Sequence, residues 1–140
     1  DNYKIRFAGI DRFMNACVEK AQTNGYVETI LGRRRPIDQV HARNPQQRAL
    51  GERLAINSVV QGSAADLIKL AMLDLHRRIA EEHLPMRMLQ QIHDELVVET
   101  PQPDADQAAA VVTEVMQGAM DLKVPLVAEA GIGPDWHDAK

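Results

Sequence analysis

The sequence has one cysteine, no long apolar run and no strong net charge, and these absences narrow the class of protein to which it can belong. Cys17 has no second cysteine to pair with, which excludes an internal disulfide and suits a reducing compartment such as the cytoplasm. No apolar run reaches membrane-spanning length, and the polar start DNYKIR is unlike a signal peptide. A net charge of −4 indicates neither a nucleic acid nor a membrane as partner. We therefore expect a soluble, cytoplasmic protein.

Composition is otherwise that of a globular protein, with 45% hydrophobic and 26% charged residues. The 140 residues contain no repeat, low-complexity tract or linker, so we expect one domain's worth of structure. Charge is distributed unevenly, because arginines crowd residues 33–53 and acidic residues dominate the last third. The positions of the charges are therefore more informative than their sum.

A helix and a short hairpin are predicted at the start of the chain. Apolar residues at helical spacing indicate an amphipathic helix over residues 5–23 that ends near Asn24 and Gly25. The segment YVETI has the β-branched character of a strand, and Leu31 and Gly32 suggest a turn into the basic stretch RRRPI. Because prolines flank it, IDQVHARN is expected to be a polar loop.

A long helix and a second hairpin are predicted next. The apolar pattern is helical from Gln46 to about Glu82, with Gly62 as a position for a break or bend. Further elements are expected as follows: a hairpin over 87–100, a surface helix over 103–121 and a final strand in PLVAEAGIG. This order predicts an α+β fold in which helices, one of them long, cover an antiparallel sheet.

The second hairpin joins two apolar runs at His93, Asp94 and Glu95, without glycine, proline or asparagine. A solvated acidic turn is the simplest interpretation of this tripeptide. Two carboxylates ~4 Å apart near a protein surface repel by about 4 kcal/mol, so a cation beside them is the alternative. Mg²⁺ is the natural candidate, since it takes one or two carboxylates and completes its shell with water and phosphate oxygens.

A two-residue turn at Asp94 and Glu95 is the predicted geometry of this tip. Such turns need a positive φ, which aspartate tolerates and glutamate adopts poorly. The facing pairs would be Ile92 with Val97 and Gln91 with Val98.

The long helix carries Arg53, Asn57 and Gln61 four residues apart. At about 100° per residue they form one polar stripe, which in most helices is a solvated face. Arginine and glutamine also donate to the minor-groove acceptors adenine N3 and thymine O2, whose pattern is nearly the same for A·T and T·A. Such donors can contact a correctly formed base pair with little dependence on its sequence.

Three arginines follow a glycine turn in TILGRRRP. A basic run this short is usually surface solvation. Beside a phosphate-bearing partner, however, each arginine can bind a phosphate through two parallel hydrogen bonds.

Four segments together resemble the C-terminal part of family A DNA polymerases, the bacterial DNA polymerase I type. The resemblance covers nearly the whole chain, in the family's order and at compatible spacing. The segments are VEKAQTNGYVETILGRRRPI, ERLAINSVVQGSAADLIKLAM, LQQIHDELVVE and VPLVAEAGIGPDWHDAK.

This resemblance implies a role for each candidate residue. Asp94 matches a catalytic, metal-binding aspartate on a palm hairpin, Glu95 the neighbouring acid with a secondary part in the metal site, and His93 a residue that lies against the primer end. The other matched residues lie near DNA: Arg53, Asn57 and Gln61 at the template strand and minor groove, and Thr29, Gly32, Arg33 and Arg34 in a turn near the template. Glu129 could also approach the site, although a structural or solvated role is the simpler interpretation.

The implied activity is template-directed nucleotidyl transfer to a primer 3′-hydroxyl in DNA replication and repair. Two Mg²⁺ ions ~3.5–4 Å apart would clamp an in-line displacement. The implied partners are a template–primer duplex, deoxynucleoside triphosphates and the remainder of the polymerase chain, in the bacterial cytoplasm or nucleoid.

Parts of the family pattern are missing from this sequence. No segment resembles DYSQIELR, which carries the other catalytic aspartate, and the nucleotide-binding fingers helix, the thumb and any exonuclease domain are absent as well. The resemblance therefore implies a fragment, with the end of the fingers over 1–45 and the C-terminal half of the palm over 46–140. By itself such a fragment is expected not to polymerise.

Three alternatives remain open at this point. A single-subunit RNA polymerase shares the palm chemistry, although HDE and QGSAADLIKLAM resemble the DNA enzymes more closely. A non-catalytic nucleic-acid-binding module derived from a palm is the second. An unrelated metal-dependent phosphohydrolase fits the acid pair but leaves the stripe on the long helix unexplained.

Overall fold

The structure is a computed structural model that describes residues 6–139. The strands pair as two antiparallel hairpins, β1 with β2 and β3 with β4. The predicted α+β class, with antiparallel strands and one long helix, is confirmed, and the strands form two small sheets. The elements in chain order are α1 (Ala8–Asn24), β1 (Tyr26–Glu28), β2 (Arg34–Pro36), a 3-10 helix (Asp38–His41), α2 (Pro45–Glu81), β3 (Arg87–Ile92), β4 (Glu95–Glu99), a second 3-10 helix (Gln102–Asp104) and α3 (Ala105–Gln117).

The chain divides into two compact units, Asp1–Asp66 and Leu67–Lys140. The predicted division into fingers and palm regions, 1–45 and 46–140, comes from the family resemblance and does not describe these compact units. It stays a prediction. Within residues 6–139, no helix combines the length and the apolar character that crossing a membrane requires.

Helix α1 ends where the sequence predicts. Gly25 has a left-handed φ of 76°, and its N–H donates to the Ala21 carbonyl at 2.8 Å. Glycine takes this conformation without the steric cost of a Cβ, so the helix stops there and β1 begins. The predicted start at residue 5 lies outside the described residues.

The segment predicted as a polar loop, 37–44, is partly buried, so that prediction is wrong in part. Ile37 is 1% exposed and Val40 is 3% exposed. A 3-10 turn stacks residues three apart on one side, which lets both side chains point into the core of the first unit. That core consists of Ala21, Val27, Ile37, Val40 and Ala55.

Helix α2 begins at a proline behind an asparagine cap. Asn44 Oδ1 accepts hydrogen bonds from the backbone N–H groups of Gln46, at 2.8 Å, and Gln47, at 3.4 Å. Pro45 takes the first helical position, where a missing N–H is harmless. Gly62 does not interrupt the helix, which continues to Glu81.

The core of the second unit joins the end of α2 to α3 and the β3–β4 hairpin. Its buried members are Ala71, Leu75, Met86, Ala108, Val111 and Val115. Met88 of β3 and Leu96 and Val98 of β4 pack against this core. One face of α3 is therefore buried, and the hairpin lies on an apolar base.

The turn between β3 and β4 lies at His93 and Asp94, so the predicted turn at Asp94 and Glu95 is wrong by one residue. His93 has a positive φ of 54°, whereas Glu95 is the first residue of β4. Histidine is enriched in the left-handed region and glutamate is not, which favours the observed turn. The positive φ thus falls on His93, and Glu95 has the extended backbone of a strand.

The register of the hairpin also differs from the prediction. Leu89 is an extra residue on β3, between the pairs formed by Met88 and Gln90. The partners of Ile92 and Gln91 on β4 differ from the predicted ones by two positions. The observed pairs replace those with Val97 and Val98: Ile92 with Glu95, and Gln91 with Leu96.

The predicted final strand in PLVAEAGIG is wrong. Residues 125–133 form neither helix nor strand, and Val127 is 77% exposed. A strand requires a hydrogen-bonded partner, and no described residue pairs with this segment as one. Glu129, placed on that strand by the prediction, is an exposed residue of an irregular segment.

Candidate functional site

The tip of the β3–β4 hairpin presents His93, Asp94 and Glu95 as exposed residues. The Gln91 side chain donates from Nε2 to the His93 carbonyl oxygen at 2.7 Å, which ties the turn to β3. A non-glycine residue in the left-handed region costs on the order of 1–3 kcal/mol and persists only where its surroundings hold it. The conformation of the tip is therefore stabilised by its surroundings, including the hydrogen bond from Gln91. Nothing in the sequence pattern singled out Gln91 for this contact.

The opposite end of the same hairpin is closed by an ion pair. Arg87 Nη2 lies 2.7 Å from Glu99 Oε2, between two residues that pair across β3 and β4. Because both side chains are largely exposed, the ion pair contributes little, and the apolar base beneath the hairpin holds the end away from the tip. Asp94 in the turn and Glu95 at the start of β4 are thus carried by a hairpin that packs on the core of the second unit.

Asp94 and Glu95 have the chemistry to hold a hard divalent cation. Carboxylate oxygens are the protein ligands that Mg²⁺ prefers, and exposure leaves room for water and phosphate oxygens. Among residues 6–139, no three His, Cys, Asp or Glu side chains cluster as a metal site. The donor set fits an ion that takes one or two ligands from this chain and the rest elsewhere.

The stripe on α2 is exposed along its length. Arg53, Asn57 and Gln61 are all exposed, and none of their side chains has a hydrogen bond or ion pair with another described residue. The buried positions Ala55 and Ser58 occupy the other side of the helix. The stripe belongs to the first unit and the hairpin tip to the second.

Arginines of the basic turn are partly engaged within the chain. Arg33 Nε donates to Asp66 Oδ1 at 2.8 Å. Arg34 Nε donates to Glu28 Oε1 at 3.0 Å, and its guanidinium carbon lies 4.7 Å from the centre of the Tyr26 ring. Both side chains thus have partners within the chain, although each remains more than half exposed.

Glu28 is the second acid of this region. Lys20 Nζ lies 2.5 Å from its Oε2, and Arg34 approaches its other oxygen. Hydrogen bonds from Lys20 and then Arg34 hold the pKa of the Glu28 carboxyl below its ordinary value. Glu28 thus stays ionised and keeps Arg34 against the β1–β2 hairpin.

Sequence reasoning missed Asp66, which is the buried acid of the first unit, at 1% exposure. It lies eight residues after Ser58 and four after Gly62, on the buried side of α2. An acid at an apolar helical position is the signal that could have found it, because buried carboxylates require partners. Those partners, Thr29 and Arg33, lie more than thirty residues away in sequence.

Comparison with known proteins gives a consistent result. The sequence profile of DNA polymerase family A matches residues 1–138. DNA polymerase I of Geobacillus stearothermophilus is 44% identical over 140 residues, which are 100% of this chain and 16% of that protein. DNA polymerase I of Deinococcus radiodurans is 45% identical over 138 residues, which are 99% of this chain and 14% of that protein.

A solved structure gives the same result at the level of the fold. The POL domain of Pol1 from M. smegmatis, in complex with DNA primer-template and dNTP, matches with a TM-score of 0.92 and 39% identity. The match covers 98% of this chain and 24% of that one. This chain therefore spans only a small part of the relatives that it resembles. From its sequence and its fold together, we conclude that the chain belongs to DNA polymerase family A.

Proposed function

We propose that this chain is part of a DNA-directed DNA polymerase and supplies one side of its nucleotidyl-transfer site. The observation that carries the proposal is the family match over residues 1–138, which includes the tip His93-Asp94-Glu95. The proposed partners are a template–primer duplex, deoxynucleoside triphosphates and the rest of the polymerase chain. The proposed setting is DNA replication and repair in the bacterial cytoplasm or nucleoid.

In the proposed reaction the primer 3′-hydroxyl oxygen attacks the α-phosphorus of the nucleotide, and the bond to pyrophosphate breaks. Two Mg²⁺ ions, when bound, would activate the hydroxyl and neutralise charge on the leaving group. Asp94 would hold the metal site from this side, with Glu95 in a secondary part. The exposure of both residues supports this role, because the remaining coordination positions must stay open to phosphate oxygens.

His93 would lie against the primer end, at the turn that Gln91 fixes through the backbone carbonyl. A fixed tip matters because a misplacement of about 1 Å can cost about 10²-fold in rate. A second acid, needed to bridge both ions, would come from the rest of the polymerase chain.

The stripe Arg53, Asn57 and Gln61 would donate hydrogen bonds to the minor groove and template strand near the insertion site. Support comes from the exposure of all three side chains and the absence of partners for them among the described residues. Arg33 and Arg34 would contact backbone phosphate with the terminal nitrogens that their pairing through Nε leaves available.

Family membership supports the proposal against two of the three alternatives. It favours a DNA polymerase over a single-subunit RNA polymerase and gives no support to an unrelated phosphohydrolase. A non-catalytic module would retain duplex binding without extension, so primer extension separates it from the proposed function.

Primer extension by the isolated 140-residue chain and by the complete polymerase tests the proposal. With a template–primer, four deoxynucleoside triphosphates and Mg²⁺, we expect extension by the complete enzyme and none by the isolated chain. The isolated chain offers Asp94 and Glu95 without the second acid that bridges the ions. Robust incorporation by the isolated chain would contradict the one-sided site, and a complete protein that binds duplex without extending it would be a binding module.

Replacing Gln61 with alanine in the complete polymerase is expected to weaken discrimination against a mispaired primer end. A side-chain contact to a base edge contributes about 1–3 kcal/mol to discrimination, so we expect a loss of about tenfold. The measurement is the ratio of extension rates from matched and mismatched primer ends.

Gln107→Ala is the matched control for this change. Gln107 is an exposed glutamine of α3 outside the stripe, so the same loss of an amide should leave the ratio unchanged. Unchanged mismatch extension in Gln61→Ala, or equal losses in both variants, would reject the minor-groove role.

A further inference from the structure

We propose that Asp66 is a positioning residue that holds the Arg33 guanidinium ready for a phosphate of the DNA backbone, an inference that rests on the proposed function. Both carboxylate oxygens of Asp66 are engaged with the β1–β2 turn. Oδ1 accepts from Arg33 Nε at 2.8 Å, and Oδ2 accepts from the Thr29 hydroxyl at 2.5 Å. Asp66 on the long helix thus binds the β1–β2 turn through two hydrogen bonds.

Burial differs sharply between the two partners of this ion pair. The Asp66 side chain is 0% exposed, whereas the Arg33 side chain is 60% exposed. A buried carboxylate cannot be left without a partner at low cost, so Asp66 constrains Arg33 strongly. An exposed pair such as Arg77 with Glu81 can open into water and constrains its arginine weakly.

The turn that carries Arg33 is closed on itself and onto the helix. Arg33 N–H donates to Thr29 Oγ1 at 3.1 Å, and Ile30 N–H donates to Ser63 Oγ at 2.9 Å. A Cβ at Gly62 would lie 2.7 Å from Thr29 Cγ2, so the absence of a side chain there permits the close approach. Arg33 therefore has a fixed backbone as well as a fixed Nε.

The remaining donors of Arg33 are suited to a phosphate. A guanidinium carries five N–H groups in a rigid fork, and Asp66 uses the one on Nε. The terminal nitrogens have no partner among the described residues. They carry four N–H groups, which can bind two phosphate oxygens together. Because the side chain is already ordered, binding avoids part of the cost of immobilising it.

The neighbouring arginines, Arg34 and Arg35, lack the pairing with a buried acid that Arg33 has. Arg34 is held by Glu28, whose side chain is 23% exposed, and the side chain of Arg35 has no hydrogen-bond or ion-pair partner in the described part of the chain. Among residues 6–139, only the pair with Asp66 links an exposed arginine of this turn to a fully buried acid.

Equilibrium binding of a fluorescent template–primer duplex to the complete polymerase tests the proposal over a range of KCl concentrations. The variants are Asp66→Asn, Arg33→Ala and the double substitution. Arg33→Ala is expected to lower affinity about tenfold and to reduce the salt dependence by about one phosphate contact. Asp66→Asn is expected to lower affinity about three- to tenfold, because Arg33 must then be ordered on binding.

Two features of the result separate positioning from other roles. Asp66→Asn removes a negative charge, so long-range electrostatics alone would strengthen DNA binding, opposite to the expected loss. In the Arg33→Ala background, Asp66→Asn should have no further effect, whereas a merely structural role for Asp66 would give the same loss in both backgrounds. Equal losses in both backgrounds, or binding unchanged or tightened by Asp66→Asn alone, would overturn the proposal.

Arg33→Lys keeps the proposal testable if Asp66→Asn fails to fold. Lysine can keep an ion pair with Asp66 but has no second set of donors for phosphate, so affinity and salt dependence should match Arg33→Ala. Unaltered binding by Arg33→Lys would overturn the proposal. Arg77→Ala, which removes an arginine paired with Asp74 and Glu81, is the charge-matched control and should bind normally.

These binding results are independent of catalysis. If Asp66 and Arg33 show no coupling while Asp94→Ala still abolishes primer extension, only the positioning role fails. If Asp94→Ala extends primers normally, the proposed function itself fails, whatever the binding data show.

Discussion

Replacing Asp94 with alanine in the complete polymerase is expected to lower the rate of primer extension by about 10³-fold or more. A metal clamp on a transferring phosphoryl group contributes several kcal/mol to transition-state stabilisation, and each 1.36 kcal/mol is tenfold in rate. Duplex affinity should change little, because DNA affinity depends mainly on cations at the phosphates. Rates come from single-turnover extension at saturating nucleotide, and affinity from equilibrium binding.

Two variants of the same hairpin control for structural damage. Asp94→Asn keeps the shape of the side chain and removes its charge, so it should be nearly as slow as alanine. Glu99→Gln removes an acid at the other end of the hairpin, where Glu99 pairs with Arg87, and should extend primers at close to the normal rate. Comparable losses of rate and duplex affinity in Asp94→Ala would instead make Asp94 a structural residue.

The largest effect on stability is expected from Leu75→Ala. Leu75 is 0% exposed and belongs to the core of the second unit, together with Met86, Val111 and Val115. Truncating a buried leucine costs about 2–5 kcal/mol, because the lost apolar contact is joined by a cavity. That is a large part of the usual 5–15 kcal/mol of a folded domain. The measurement is urea unfolding of the complete polymerase, monitored by hydrogen exchange of the amides in residues 67–139. It reports the free energy of unfolding of the second unit.

Leu73→Ala is the matched control on the same helix. Leu73 is 67% exposed, so the same truncation removes little buried surface and should cost less than about 0.5 kcal/mol. Similar losses of unfolding free energy in both variants would contradict the burial of Leu75 in the core of the second unit.

Local sequence signals predicted the helices of this protein well. Gly25 ends α1 because its left-handed φ is available without strain, and the apolar periodicity of α2 persists through Gly62. Both features depend on residues within a few positions of each other. The existence of the β3–β4 hairpin was likewise predicted from two short apolar runs.

Features that depend on distant residues were not predicted. The pairing of Asp66 with Thr29 and Arg33 joins positions 37 and 33 residues apart, so no local spacing contains it. Ile37 and Val40 looked like parts of a polar loop because their burial depends on packing against α2. The final strand failed because strand formation requires a partner that the described residues do not supply.

The hairpin register shows a third kind of limit. Turn rules correctly warned against glutamate in a positive-φ position, but they did not indicate His93 as its replacement. An extra residue at Leu89 then shifted the rest of β3 against β4. The roles of His93, Asp94 and Glu95 stay predictions drawn from the family resemblance.

The position of the metal relative to Asp94 shows whether this hairpin carries part of the metal site. Mn²⁺ can stand in for Mg²⁺ and is visible by its anomalous scattering in crystals of the complete polymerase with template–primer and an unreactive nucleotide. We expect a Mn²⁺ peak about 2.0–2.2 Å from a carboxylate oxygen of Asp94, the distance at which such ions bind oxygen. Metal peaks at the nucleotide phosphates with none in contact with Asp94 would contradict the account.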